Sequence, residues 1–378
     1  MTTKIETKGV RYLGSKNKLI PLITEVIESL DLEEKTLIDV FTGTTRVAQA
    51  FKSLGYTVTT SDLSWASEAY SHAMVCNNGD MNHLQPYIDK LNALAPSPGW
   101  ITNNYCDANI TFKSTKPVYE ESDDGKKKKV GTKEVEEDVL IQVWKRHNGA
   151  KADAIRDKIE EYNLSHTDKM ALVASLIFTL DKVDNTCGLQ QAYLKGWKSP
   201  RVDTPIELKL LPSFPGPTGT HISGDALKIE YPKAEVAYLD PPYTPADYST
   251  YYHIWDSIAR WDKPEVSLKT NRRLDRVKKK KETHDKEMIS PWYSKKTAYD
   301  ATLKLVDRLP VKYVVFSYSD EGLITFDQMR EMGARYKSFT IHEKEHSRHL
   351  MSRMGAGGKD AKNAEKKKNI EYIIVIEK

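Results

Sequence analysis

Cysteine is scarce. The 378 residues hold three, Cys76, Cys106 and Cys187, none in CxxC spacing, which argues against a disulfide frame or a thiolate zinc site and fits a reducing compartment. No apolar run approaches the roughly 20 residues that a membrane span needs. Met1 to Val10 is polar and lacks the apolar stretch of a secretion signal. A cytoplasmic protein with no membrane partner is the expectation. Internal repeats are absent, and a net charge of only +4 excludes a general polycation. What remains is a globular chain, 39% hydrophobic and 29% charged, long enough for one large or two modest domains.

The most telling stretch is Ala237-Tyr238-Leu239-Asp240-Pro241-Pro242-Tyr243. Glu235 to Leu239 reads as a short buried strand, and the two prolines end it because neither has an N–H to continue a ladder. Asp240 therefore sits at a strand's carboxyl end, the edge where open α/β sheets bind ligands. A carboxylate, a free carbonyl and the Tyr243 ring within four residues can grip a planar amine. Asp-Pro is also ordinary turn chemistry, so other features must decide.

Three further acids stand at the tips of expected strands. Asp39 lies within the Thr36 to Phe41 strand, ahead of a Thr42-Gly43-Thr44-Thr45 turn and a helix over Val47 to Leu54. Gly43 lets backbone approach a ligand, and Asp39 can accept from an ammonium group. Asp62 ends the next strand, Tyr56 to Thr60, about 20 residues on, the usual spacing for an acid that accepts ribose hydroxyls. Asp225 follows a strand at His221 to Ser223 and can accept from an adenine amine. The turn lacks both the full GxGxxG pattern and a lysine-bearing phosphate loop, so a nucleoside with a charged amino-acid tail suits it better than a triphosphate.

Periodicity places helices at Lys16 to Leu30, Trp65 to Val75, Tyr248 to Trp261, Ser294 to Leu309 and Thr325 to Met332, with strands at Lys312 to Ser317, Lys337 to His342 and Glu371 to Glu377. Alternating strands and helices imply a doubly wound α/β sheet. Between Asn77 and Leu211 helical pieces dominate, at Met81 to Leu94, Glu134 to Arg146, Ala152 to Tyr162 and Thr167 to Leu180, with an exposed polar loop at Tyr119 to Thr132. Residues 1–76 and 212–378 are thus expected to form one domain and 77–211 a mainly helical insertion. His72, His83, His147 and His166 are scattered and read as structural or surface residues.

In order along the chain, Arg11-Tyr12-Leu13-Gly14-Ser15-Lys16, Asp39-Val40-Phe41-Thr42-Gly43, Ser61-Asp62, Gly224-Asp225 and Asp240-Pro241-Pro242-Tyr243 resemble the motifs of the D12 class, or alpha group, of adenine-specific DNA N6-methyltransferases, whose FokI-like and Dam-like branches share them. Tyr251-Tyr252-His253 and Ser317-Tyr318-Ser319-Asp320-Glu321-Gly322 look like segments of the FokI-like branch. The resemblance is thin between Asn77 and Thr179. It implies a Rossmann-like S-adenosylmethionine-dependent sheet of order 3-2-1-4-5-7-6 with an antiparallel last strand, and a target-recognition insertion. It also implies that Tyr12, Lys16, Asp39, Phe41, Gly43, Asp62 and Asp225 hold the cofactor. One departure is the Thr-Gly-Thr-Thr turn, where the family commonly has a second glycine.

The chemistry then expected is transfer of a methyl group to N6 of an adenine flipped from duplex DNA. Asp240 and the Pro241 carbonyl would accept the amine hydrogens, and Tyr243 would stack on the base, with no metal. Lys195, Lys198, Arg272, Arg273 and Lys278 are the expected DNA contacts. A cognate restriction endonuclease is a candidate partner. Competing readings are a cytosine-N4, RNA-adenine or protein-glutamine methyltransferase, a non-catalytic DNA-binding specificity subunit and, least favoured, a dehydrogenase.

Overall fold

The computed structural model describes residues 5–77, 80–121, 127–190, 194, 196–245, 247–267, 270–277, 289–347 and 368–378. In it Lys16–Lys18 forms a short 3-10 turn before helix α1 (Ile20–Glu28), which has Pro21 in its first turn, where a missing N–H costs nothing. Ile20, Ile23, Val26 and Ile27 give α1 one buried face. The turn matters more than the helix, because it holds a buried Lys16 beside Asp240.

Strands β1 (Thr36–Asp39) and β2 (Thr57–Asp62) flank α2 (Arg46–Ser53), and α3 (Trp65–Met74) follows. Next come α4 (Gln85–Ala93), α5 (Trp100–Tyr105), β3 (Cys106–Glu121), β4 (Lys127–Gln142), α6 (Arg146–Glu161) and α7 (His166–Val183). The chain returns to the sheet with β5 (Thr220–Ser223) and β6 (Ala234–Leu239), then α8 (Tyr248–Tyr251) and α9 (His253–Arg260). It closes with α10 (Ala298–Arg308), β7 (Val311–Ser319), α11 (Phe326–Gly333), β8 (Ser338–Ser347) and β9 (Lys368–Glu377).

The central sheet runs β5-β2-β1-β6-β7-β9-β8. Pairing is parallel from β5 through β7, and β9 is antiparallel to both neighbours. Chain order reverses between β1 and β6, where Asp39 pairs with Tyr238. This switch point opens a crevice beyond the strand ends, and Asp39 and Asp240 are its two walls. Alternation sorts the strand residues onto two cores. Ile38, Ala237, Leu239, Val314 and Phe316 pack against α10, whereas Leu37, Val236, Tyr238 and Val315 pack against α1 and α2.

A third core joins α3 and α9 to α4, α6 and α7. Helix α9 is buried on nearly every side, and both its ends are satisfied by the 77–211 segment. Gln190 Oε1 accepts from the N–H groups of Ile254 and Trp255 at 3.0 and 3.1 Å, and Arg156 donates to the carbonyls of Ile258 and Ala259 at 2.7 and 3.1 Å. The single helix expected from Tyr248 to Trp261 is broken at Tyr252. Its hydroxyl accepts the Leu13 N–H at 2.7 Å and its ring stacks on Tyr12 at 4.2 Å.

Two expectations within the insertion need correcting. Residues 134–142 belong to strand β4, not to a helix, and of the loop placed at 119–132 the described residues, 119–121 and 127–132, lie in the paired strands β3 and β4. Val135, Val139, Ile141 and Val143 alternate and are β-branched, a period that a helical reading also accommodates. Cross-strand pairing decides the matter, with Lys113 opposite Glu136 and Ile110 opposite Val139. Among the described residues no helix is long and apolar enough to cross a membrane.

Candidate active site

One cleft at the switch point is lined by Tyr12, Lys16, Asp39, Phe41, Gly43, Asp62, Asp225, Asp240, Pro241 and Tyr243, and encloses about 1080 Å³ including space open to solvent. All ten residues singled out from the sequence for cofactor and chemistry therefore share it. Its acids differ in what they already hold. Asp39 is 1% exposed and accepts from Thr42 Oγ1 at 2.8 Å. Burial, reinforced by the charges of Asp240 and Asp62, pushes its carboxyl up to about 7. Asp62 accepts from the N–H groups of Gly43 at 2.8 Å and Ser64 at 2.9 Å, so it pins the glycine turn, and burial raises it to about 6. Asp225 sits at the rim, with one oxygen accepting from the Leu227 N–H at 3.0 Å.

The turn explains the absent second glycine. Gly43 has φ +49°, and a Cβ there would lie 3.4 Å from the Tyr12 ring. The second left-handed residue is Thr45, at φ +60°. That conformation costs a side-chain-bearing residue about 1–2 kcal/mol, offset in part by a hydrogen bond from Gln49 Nε2 to Thr45 Oγ1 at 2.8 Å.

At the other wall, Lys16 Nζ lies 2.8 Å from Asp240 Oδ1 and 5.1 Å from the Tyr243 ring centre. Oδ1 is thus buried in an ion pair with Lys16, on a side chain that is 18% exposed as a whole. Burial pushes the Asp240 carboxyl above its ordinary range and Lys16 pulls it back. Tyr243 is held by its carbonyl, which accepts the Leu323 N–H at 3.0 Å, and by edge contact with Tyr318. Four aspartates, Asp39, Asp62, Asp225 and Asp240, against Lys16 and Arg46 suit a cationic ligand, and a carboxylate beside an aromatic face suits a planar amine.

The sequence pattern of the D12 class N6 adenine-specific DNA methyltransferases matches residues 12–350. The chain belongs to this family. It is 28% identical to modification methylase LlaI of Lactococcus lactis subsp. lactis over 93% of this chain and 53% of that protein. It is 26% identical to type II methyltransferase M.NlaIII of Neisseria lactamica over 98% of this chain and 99% of that one. Type II methyltransferase M.FokI of Planomicrobium okeanokoites is 23% identical over 85% of this chain and 46% of its own length. The chain thus spans about half the length of the LlaI and FokI enzymes and nearly all of M.NlaIII.

Of the DNA contacts expected in this D12 chain, three lie among the described residues. Lys195 and Lys278 lie outside the described residues, and Lys198 is exposed. Arg272 is half-buried. Arg273 is a correction: it is 2% exposed and its guanidinium is bound by Asp262 at 2.9 and 2.7 Å and by Asp275 at 3.1 and 3.0 Å. A guanidinium so enclosed is not offered to phosphate. A cleft residue that the sequence reading missed is Tyr293, whose hydroxyl accepts the Tyr248 N–H at 3.2 Å; Trp292 beside it packs in the core, edge-on to Phe41 at 4.9 Å. The Pro291-Trp292-Tyr293 aromatic cluster was its signal in the sequence.

The raised carboxyl of Asp39 has a measurable consequence. The folded chain keeps a proton that the unfolded chain has released, so the stability it contributes is complete below about pH 4 and is lost as pH rises through about 7. Asp39→Asn, which cannot ionise, should therefore gain in Tm relative to the parent chain as ligand-free protein is taken from pH 5 to pH 8. A Tm difference that stays constant across the series would contradict this.

Proposed function

We propose that the chain is a site-specific DNA adenine N6-methyltransferase that uses S-adenosylmethionine and acts on a base flipped from the duplex. The observation that carries this reading is the Asp240 carboxylate, paired with buried Lys16 and placed with Tyr243, Asp39 and Asp62 in one cleft. The sheet order also supports it, because renumbering the strands outside the hairpin along the chain gives 3-2-1-4-5-7-6 with an antiparallel seventh strand.

The cofactor, when bound, supplies an electrophilic methyl group on a cationic sulfur. The cleft fits it through its donor set: a buried carboxylate for the ammonium at Asp39, a second at Asp62 for the ribose, and the gap kept open by Gly43 against Tyr12. Adenine N6 is a weak nucleophile because its lone pair is delocalised into the ring. Asp240 and the Pro241 carbonyl each accept one amine hydrogen, which draws the lone pair toward the methyl group. Lys16 holds the Asp240 carboxylate in place and in its charged form. Tyr243 stacks on the base, repaying part of the few kcal/mol that unstacking costs. Positioning of this kind supplies much of the acceleration.

For the DNA, we assign target recognition to the 77–211 segment and, within it, to the hairpin. A two-stranded ribbon fits the major groove, and Lys113, Lys116, Lys128, Lys129 and Lys133 are exposed on it. As the relatives are named type II methyltransferases and modification methylases, a cognate endonuclease is the proposed partner. The test is methylation-aware sequencing of mixed duplex DNA incubated with the chain and S-adenosylmethionine. N6-methyladenine in one sequence context is expected; N4-methylcytosine, or no modified base at all, would overturn the reading.

A further inference from the structure

Glu68 and His72, His166 and His221 come from three distant parts of the chain and meet where α3, the start of α7 and β5 come together. Glu68 and His72 are four residues apart and share a face of α3. His166, the first residue of α7, brings Nε2 to 2.9 Å from Glu68 Oε1, and its ring stands edge-on to His72 at 4.7 Å. One ligand atom from each of these three lies within 4.8 Å of the others. His72 Nδ1 is engaged by Thr167 Oγ1 at 3.1 Å, the outer contact that commonly orients a metal-binding imidazole and leaves its other nitrogen free to ligate. His221, on β5, has its ring 6.3 Å from that of His72 and Nδ1 3.0 Å from Thr60 Oγ1. Its Nε2 is buried without a partner.

We propose that Glu68, His72 and His166 form a binding site for a zinc-class divalent cation. Two imidazoles and a carboxylate are the donor set that zinc favours, whereas magnesium and calcium prefer oxygen alone. Tetrahedral donors around zinc stand about 3.4 Å apart, so closing from 4.8 Å needs side-chain movement of under about 1 Å each, within reach of surface rotamers. The ion would tie the helix after β2 to the first turn of α7. None of the three residues lines the catalytic cleft. Its role is therefore to fasten the insertion to the sheet, independent of the methyl-transfer chemistry.

The competing account is a plain His166–Glu68 hydrogen bond with two neighbouring rings, and metal titration separates the two. Tag-free protein stripped with chelator and dialysed should bind ZnCl2 at one equivalent by calorimetry. Zinc at about 100 times its Kd should raise Tm by roughly 5 °C, with no rise from MgCl2. Cobalt in its place should give visible absorption of a four- or five-coordinate ion. His166→Gln, at an exposed position, and His72→Gln should each abolish stoichiometric binding while leaving S-adenosylmethionine affinity unchanged. Absence of one-equivalent binding in the parent chain, or binding that persists in both variants, would overturn the proposal.

Discussion

Asp240→Ala should lower methyl transfer by at least about 10²–10³-fold, the size of effect seen when one preorganised polar contact to a reacting group is removed, while methyl-donor affinity changes little. In the proposed reaction the carboxylate is the acceptor for the amine, and the donor's ammonium and ribose fall to Asp39 and Asp62, which line the same cleft. The substitution also strands Lys16, 6% exposed and paired at 2.8 Å with the lost group. An uncompensated buried charge costs about 3–5 kcal/mol, so a loss of fold could imitate a loss of chemistry. Asp240→Asn keeps the shape and one acceptor and should fold with a smaller deficit. The pair is measured by turnover alongside donor Kd. Near-normal turnover in the folded alanine variant would remove Asp240 from the mechanism.

The strand tips were legible because their signals are local. Asp39, Asp62 and Asp240 each end a short apolar run at a glycine, serine or proline, and chain order alone puts the ends of parallel strands on one edge. The Lys16–Asp240 contact was not legible, since the two residues are far apart in sequence and only the switch point brings them together. Residues 134–142 failed for a different reason: in an exposed ribbon burial does not select one face, so alternation and helical spacing compete on equal terms. The histidines read as scattered until α3 and α7 packed, which no spacing rule anticipates.

Arg273 shows how a charge run misleads, and its replacement has the second large expected effect. Read by composition it belongs to a basic segment facing phosphate, yet Asp262 and Asp275, both close in sequence, claim its guanidinium, with Ser257 Oγ at 3.1 Å and the Trp65 ring 5.2 Å away. The two carboxylates hold its proton more tightly than in an ordinary arginine. Among the described residues, Arg273→Ala leaves both acids the longer contacts to Arg260 and Arg276, at 3.5 and 3.9 Å. The expected cost is about 3–5 kcal/mol, or a fall in Tm of roughly 5 °C. Arg273→Lys should fall between, because a point charge cannot fork to two carboxylates. DNA affinity of the folded variant, and the slope of log affinity against log salt, should stay as in the parent. A phosphate contact would predict the reverse, an unchanged Tm with the slope reduced by about 0.9, so thermal melting and a salt titration on one variant decide between an arginine that holds α9 to the loop after it and one that holds DNA.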